Sequence, residues 1–87
     1  MKLTANRPFA DPAVAARKLL EIANATEAVQ DGRIYIEKIN GQFLLKEGGT
    51  PEEYSAGLQL AIDRGWLSKH ESGTYVKFTP SGADLFA

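Results

Sequence analysis

The sequence predicts a small α+β domain in which helices precede a two-stranded β-hairpin. Three observations support this class. A helix start with a complete capping motif stands at residues 50–53, a β-favouring run lies at residues 33–36, and two strand-like runs flank Glu71-Ser72-Gly73. Because the chain has only 87 residues, we assign these elements to a single domain at residues 11–87, preceded by a flexible N-terminal arm at residues 1–10.

The first helix is predicted to begin at Asp11 and Pro12. Aspartate is a favoured N-cap residue, and proline suits the first helical position. Residues then recur at steps of three and four and form one largely apolar stripe, made of Ala15, Ala16, Leu19, Leu20, Ile22, Ala23 and Thr26. Asp31-Gly32 is a stop signal, because glycine accepts left-handed backbone, so the helix is expected to end before it.

The segment after the first β-favouring run has two interpretations. Asn40-Gly41 is typical of a two-residue hairpin turn and would give a β-hairpin at residues 33–47. Against this, apolar residues follow Ile36 at the i+3 and i+7 spacing of a helix, although Gly41 inside a helix costs about 1 kcal/mol relative to alanine. The local pattern leaves both open, and the order of the remaining elements favours a helix at residues 37–46.

The next helix has the clearest signals in the chain. Thr50-Pro51-Glu52-Glu53 predicts a capping box with proline at the first helical position. The helix is expected to stop at Arg64-Gly65-Trp66, where Gly65 provides the left-handed cap. Two strands around Glu71-Ser72-Gly73 follow, and Thr79-Pro80-Ser81-Gly82 begins a short last helix.

The order of the predicted elements resembles that of the winged helix-turn-helix domain. It runs helix, short strand, two helices, a two-stranded wing and a short C-terminal helix. The likeness is most specific over residues 50–86, where the last strand runs into the Thr-x-x-Gly start at Thr79, as in many bacterial winged-helix repressors. The chain also resembles short uncharacterised bacterial proteins that carry Tyr-Ile-Glu-Lys-Ile-Asn, here at residues 35–40, and Gly-Thr-Tyr-Val-Lys-Phe, here at residues 73–78. The first resemblance implies duplex DNA binding through the third helix and the wing.

Five residues follow from that resemblance as candidate DNA contacts: Ser55 and Gln59 on the third helix, and Lys69, Lys77 and Arg33 for phosphates. The third helix nevertheless has an acidic balance, since residues 50–64 hold three carboxylates and one arginine. Phosphate neutralisation dominates non-specific affinity for DNA. A second class therefore stays open, namely a protein-interaction or homodimerisation module that does not bind DNA.

Composition and charge exclude several other classes of protein. The net charge is −1 and the pI is about 5.7, whereas dedicated nucleic-acid binders are usually basic, so a DNA-binding surface would have to be local. The chain has no cysteine and a single histidine, His70, which we expect to be exposed near the hairpin tip. We therefore expect no enzyme activity, no metal and no cofactor. With no membrane-spanning run and no signal-like start, we expect a cytoplasmic protein.

Overall fold

The structure, a computed structural model, describes residues 7–87. Within that range four α-helices and three β-strands follow one another in the order α1, β1, α2, α3, β2, β3, α4, and the α+β class is confirmed. The helices are α1 (Pro12–Ala25), α2 (Ile36–Leu45), α3 (Pro51–Asp63) and α4 (Pro80–Asp84). The strands are β1 (Ile34–Tyr35), β2 (Leu67–Lys69) and β3 (Tyr75–Phe78).

The three strands form one antiparallel sheet with β3 at its centre, in the order β1-β3-β2. On one side of β3, Ile34 lies opposite Val76 and Tyr35 lies opposite Tyr75. On the other side, β2 pairs with β3 as the two arms of a hairpin whose connection, residues 70–74, we call the wing. The short strand before α2 thus joins the hairpin at the end of the chain, which is the winged-helix-like arrangement that the order of elements predicts.

The alternative β-hairpin at residues 33–47 is wrong. Residues 36–45 form α2, one residue earlier than the helix predicted at 37–46. The partner of β1 is β3, so no strand is needed after Asn40-Gly41. Burial of Ile39 and Phe43 offsets the cost of a glycine within the helix, because each fully buried large apolar side chain contributes about 1.5–3 kcal/mol.

The first helix begins as predicted and ends well before its predicted stop signal. The Asp11 side chain accepts a hydrogen bond from the Ala13 backbone N–H at 2.9 Å, as an N-cap does. The helix ends at Ala25, and Thr26 takes extended backbone while its hydroxyl donates to the Ile22 carbonyl at 2.7 Å. The left-handed residues Asp31 and Gly32 instead shape a separate short turn that leads into β1.

The core lies between the helices and the inner face of the sheet. Its buried apolar residues are Ala15, Ala16, Leu19, Leu20, Ile22, Ala23, Ile34, Ile39, Phe43, Leu58, Ala61, Leu67 and Val76. The helices α1 and α3 approach each other closely at Gly57, where a β-carbon would lie 2.8 Å from that of Ala15. Within residues 7–87, no helix is long and apolar enough to cross a lipid bilayer.

Residues 7–10, which the sequence assigns to a flexible arm, pack against this core. Pro8–Ala10 form one 3-10 turn, and the Phe9 ring lies 4.9 Å from the Phe43 ring. Arg7 reaches the first turn of α3. The rest of the predicted arm, residues 1–6, lies outside the described residues.

The end of α3 has the predicted glycine cap. Gly65 has φ of +76°, and the Trp66 backbone N–H donates to the Ala61 carbonyl at 2.9 Å, the long-range hydrogen bond of a Schellman ending. The Thr79 hydroxyl, which caps α4, also donates to the Gly65 and Trp66 carbonyls. The cap of α3 therefore fixes where the sheet and the last helix begin.

We expect Gly65→Ala to lower the free energy of unfolding by about 1–2 kcal/mol, measured by thermal or denaturant unfolding. A β-carbon at Gly65 would meet nothing within 4 Å, so the loss is backbone strain rather than a steric clash. Gly65→Asn is the matched control and should lose less, since asparagine tolerates left-handed backbone. Equal stability of Gly65→Ala and the parent would contradict this account of the cap.

Candidate functional site

The outer face of the sheet, turned away from the core, carries two rows of side chains that run across all three strands. Residues opposite each other in antiparallel strands point to the same face, and this face alternates with the buried one of Ile34, Leu67 and Val76. The aromatic row consists of Tyr35, Tyr75 and His70. The polar row lies two residues further along the strands and consists of Arg33, Lys77 and Ser68.

Tyr75 at the centre of the aromatic row lies between two other groups. The His70 ring stacks on it with centroids 4.5 Å apart and planes inclined by 16°. The Arg33 guanidinium carbon lies 4.8 Å from the centroid of the same ring, in a cation–π contact. Because these neighbours come from opposite sides of β3, the three groups form one column, which we call the Arg33–Tyr75–His70 column.

The wing fixes the orientation of His70. Its Nδ1 accepts a hydrogen bond from the Ser72 backbone N–H at 3.1 Å and lies 2.8 Å from the Ser72 hydroxyl oxygen. That hydroxyl lies 2.8 Å from the hydroxyl of Thr74 in turn. An exposed ring is thus held at the wing by stacking on one face and by hydrogen bonds at one edge, while its other face is directed away from Tyr75.

Positive charge on this face is not neutralised by ion pairs. Among residues 7–87, neither Arg33 nor Lys77 forms an ion pair with a carboxylate. The six positions of the two rows include no acidic residue. The nearest carboxylates along the chain lie at the margins: Asp31 lines the same surface depression as Lys77, Glu37 lines a groove beside Tyr35, and Glu71 is exposed in the wing.

A groove borders the aromatic row on the α2 side. It is lined by Tyr35, Ile36, Glu37, Asn40, Gly73 and Thr74, and it has a volume of about 440 Å³. Tyr35, which is 38% exposed, forms one wall of this groove. A flat ring that contacts Tyr35 would therefore also come within reach of the polar side chains of α2 and the wing.

The first turn of α3 carries less unpaired negative charge than its sequence indicates. Glu53 closes the predicted capping box, accepting from the Thr50 backbone N–H at 3.0 Å while the Thr50 hydroxyl accepts from the Glu53 N–H at 3.1 Å. Its carboxylate also accepts two hydrogen bonds from the Arg7 guanidinium, at 2.9 and 3.0 Å. These contacts with Arg7, together with the Thr50 N–H, hold the pKa of Glu53 below its usual range.

The five predicted DNA contacts fall into three places. Ser55 and Gln59 are exposed one turn apart on α3, although the Gln59 amide donates to the Asp63 carboxylate at 2.9 Å. Arg33 and Lys77 face each other across β1 and β3 by continuation of the register. Lys69 lies opposite Val76 and so belongs to the inner face of the sheet, where it is exposed at the end of β2.

Sequence reasoning did not identify the aromatic row as a unit. It expected His70 to be exposed near the hairpin tip, which the structure confirms, but it placed Tyr35 in no site. The missing information was the register between β1 and β3, two segments about 40 residues apart in the chain. No metal-binding cluster of three or more histidine or acidic side chains occurs among residues 7–87.

We expect the contribution of Glu53 to stability to depend on pH. Because its pKa is lower in the folded state, the stabilisation is complete above the carboxyl's ordinary pKa of about 4.3 and is lost as the pH falls through the folded value. Glu53→Gln should therefore melt below the parent at pH 7, and the gap should close at about pH 3. Glu52 lies in the same turn and forms no ion pair among residues 7–87, so Glu52→Gln should lower the melting temperature less. A gap for Glu53→Gln that is constant from pH 7 to pH 3 would be inconsistent with this ion pair.

Comparison with known proteins returned no match. No protein-family model, curated protein or solved structure matches the chain. The likeness to winged-helix repressors and to short bacterial proteins therefore stays a prediction from the sequence, and the function is inferred from charge, exposure and geometry.

Proposed function

We propose that the chain is a non-enzymatic, winged-helix-like module that binds DNA through the outer face of its sheet and its wing. One observation carries the proposal. Arg33 and Lys77 lie side by side on an outer face that has no carboxylate in either of its two rows. Since neutralising phosphates supplies most of the non-specific affinity for DNA, this face is the surface best suited to hold the backbone.

The distribution of charge supports this surface over the third helix. The outward face of α3 presents Glu52 and Asp63, and the amide of Gln59 is already engaged by Asp63. A phosphate backbone approaching α3 would meet these carboxylates, whereas one approaching the polar row of the sheet would meet two cations, with carboxylates only at the margins of the face. The proposal therefore assigns phosphate contacts to the sheet and leaves Ser55 and Gln59 as accessory contacts.

The wing adds one group to this surface, and a lysine precedes it. Lys69 is exposed where β2 enters the wing but belongs to the inner face of the sheet, so it is not one of the outer-face cations. His70 adds a ring that the hydrogen bonds to Ser72 hold in place. A module with this role would work in the cytoplasm, and a bacterial origin would agree with the repressors and short proteins that the sequence resembles.

A protein-interaction module is the second candidate, and it rests on a different surface. Leu45 at the end of α2 is 88% exposed and lies beside Gly41, Gln42 and Lys46 on the outward side of the helix. A large apolar side chain in this position is available to a protein partner or to a second copy of the chain. A mass that rises with concentration in sedimentation, and that falls back in Leu45→Ala, would support a homodimer.

We expect the chain to bind a short duplex DNA at 50 mM salt and to lose affinity steeply by 200 mM salt. Lys77→Gln should reduce the slope of log K against log[salt] by about 0.9, the effect of one lost phosphate contact. Fluorescence anisotropy at several salt concentrations measures both quantities.

Lys46→Gln is the matched control, since it removes the same charge at the far end of α2, about 15 Å along the helix from β1. It should leave the slope unchanged. An equal reduction in both variants would show that only net charge matters. Failure to bind either duplex or single-stranded DNA at 50 mM salt would refute the proposed function.

A further inference from the structure

Two exposed aromatic rings lie on the same face as Arg33 and Lys77, and phosphate binding alone does not require such rings. Single-stranded nucleic acid is commonly bound by aromatic side chains that stack on bases, beside cations that track the backbone. Resting on the proposed function, we infer that the outer face prefers single-stranded over duplex DNA and stacks unpaired bases on Tyr35 and His70.

The spacing of the two rows fits a strand whose bases lie on one row and whose phosphates lie on the other. The aromatic row crosses two strand spacings, which places Tyr35 and His70 about 10 Å apart. The polar row lies two residues along the strands, about 7 Å away. Bases and phosphates project to different sides of the sugar in each nucleotide, so the two rows can engage both parts at once.

The exposure of the three rings shows which of them a base can reach. Tyr75 is half-buried and has His70 on one side and Arg33 on the other, so its role is to support the column. Tyr35 is 38% exposed, and His70 is exposed with one ring face directed away from Tyr75. The two outer members of the aromatic row are therefore the surfaces on which bases stack.

An exposed ring that is held in a fixed orientation is well suited to stack on a base. The His70 ring is held by its contacts with Tyr75 and Ser72, and the Tyr35 backbone is fixed by the pairing of β1 with β3. A ring that is already oriented loses little side-chain entropy when a base stacks on it. Base pairs in a duplex are stacked on each other, so they cannot offer their faces to these rings without melting.

The groove beside Tyr35 provides a place for the edge of a stacked base. Its lining includes the polar side chains of Glu37, Asn40 and Thr74. The Asn40 side-chain oxygen is buried at this groove without a hydrogen-bond partner among residues 7–87. Glu37 would repel a phosphate here but accept hydrogen bonds from base amino groups, so the groove suits a base rather than the backbone.

Three probes of equal length test the inference: a single-stranded DNA oligonucleotide, its duplex, and an oligonucleotide of abasic residues that keeps the phosphates. We expect the single strand to bind about tenfold more tightly than either of the other two at 50 mM salt. Tyr35→Leu should weaken binding of the single strand about tenfold and leave the abasic probe unchanged. Tyr35→Phe keeps the ring and is the matched control, which should bind as the parent does.

Proton NMR of the parent protein tests base stacking without any substitution, so the result does not depend on whether a variant folds. Stacking should move the ring protons of Tyr35 and His70 upfield when the single strand is added, while the abasic probe should move neither. Equal affinity for all three probes, or tighter binding of the duplex, would overturn the inference and leave the proposed function intact. Binding to none of the three would overturn both.

Discussion

The pairing of Ile34–Tyr35 with Tyr75–Val76 is the contact on which the rest of the candidate surface depends. It joins segments from opposite halves of the chain with only two residues of β1. A shift of one residue would turn Ile34 outward and Tyr35 into the core, because side chains alternate between the two faces of a strand. Burial of Ile34 beside Val76 therefore fixes the register, and the register brings Tyr35 into line with Tyr75 and His70.

The helices contribute to this surface by determining where the strands can lie. Close contact of α1 and α3 at Ala15 and Gly57 sets the direction of α3, and the glycine cap at Gly65 reverses the chain into β2. A β-carbon at Gly82 would lie too close to the Trp66 carbonyl, so the start of α4 packs directly on the start of the hairpin. The end of α3, the hairpin and α4 consequently form one connected unit.

Local signals were sufficient to predict most of the fold. The capping box at Thr50, the glycine cap at Gly65 and the N-cap at Asp11 each involve hydrogen bonds among neighbouring residues, and all three are present. The helix α1 ends before Asp31-Gly32, as predicted, but these left-handed residues shape the turn into β1 rather than the end of the helix at Ala25. The hairpin signal at Asn40-Gly41 was overridden by burial of Phe43, a tertiary effect that no local pattern contains.

The candidate surface was harder to predict because it is assembled from three strands. Alternation along β3 was enough to place Tyr75 beside Lys77, but nothing in the sequence indicates which residues face them from β1. The net negative charge of α3 also gave a partly wrong picture of its surface, because a count of charges from the sequence treats the Glu53 carboxylate as unpaired. The structure shows it engaged by Arg7, a residue that the sequence assigned to a flexible arm.

These two corrections change how the charges of the chain are understood. The carboxylate of Glu53 serves the cap of α3 and the attachment of the N-terminal segment, so it is explained by folding. Arg33 has a partner within the fold, because its guanidinium lies over the Tyr75 ring. Lys77 lies beside it on the outer face and forms no ion pair among residues 7–87. Like charges placed together repel and so cost stability, unless they bind something negative. The fold thus accounts for Glu53 and for the position of Arg33, whereas the proposed contact with DNA is what gives Lys77 and Arg33 together an anionic partner.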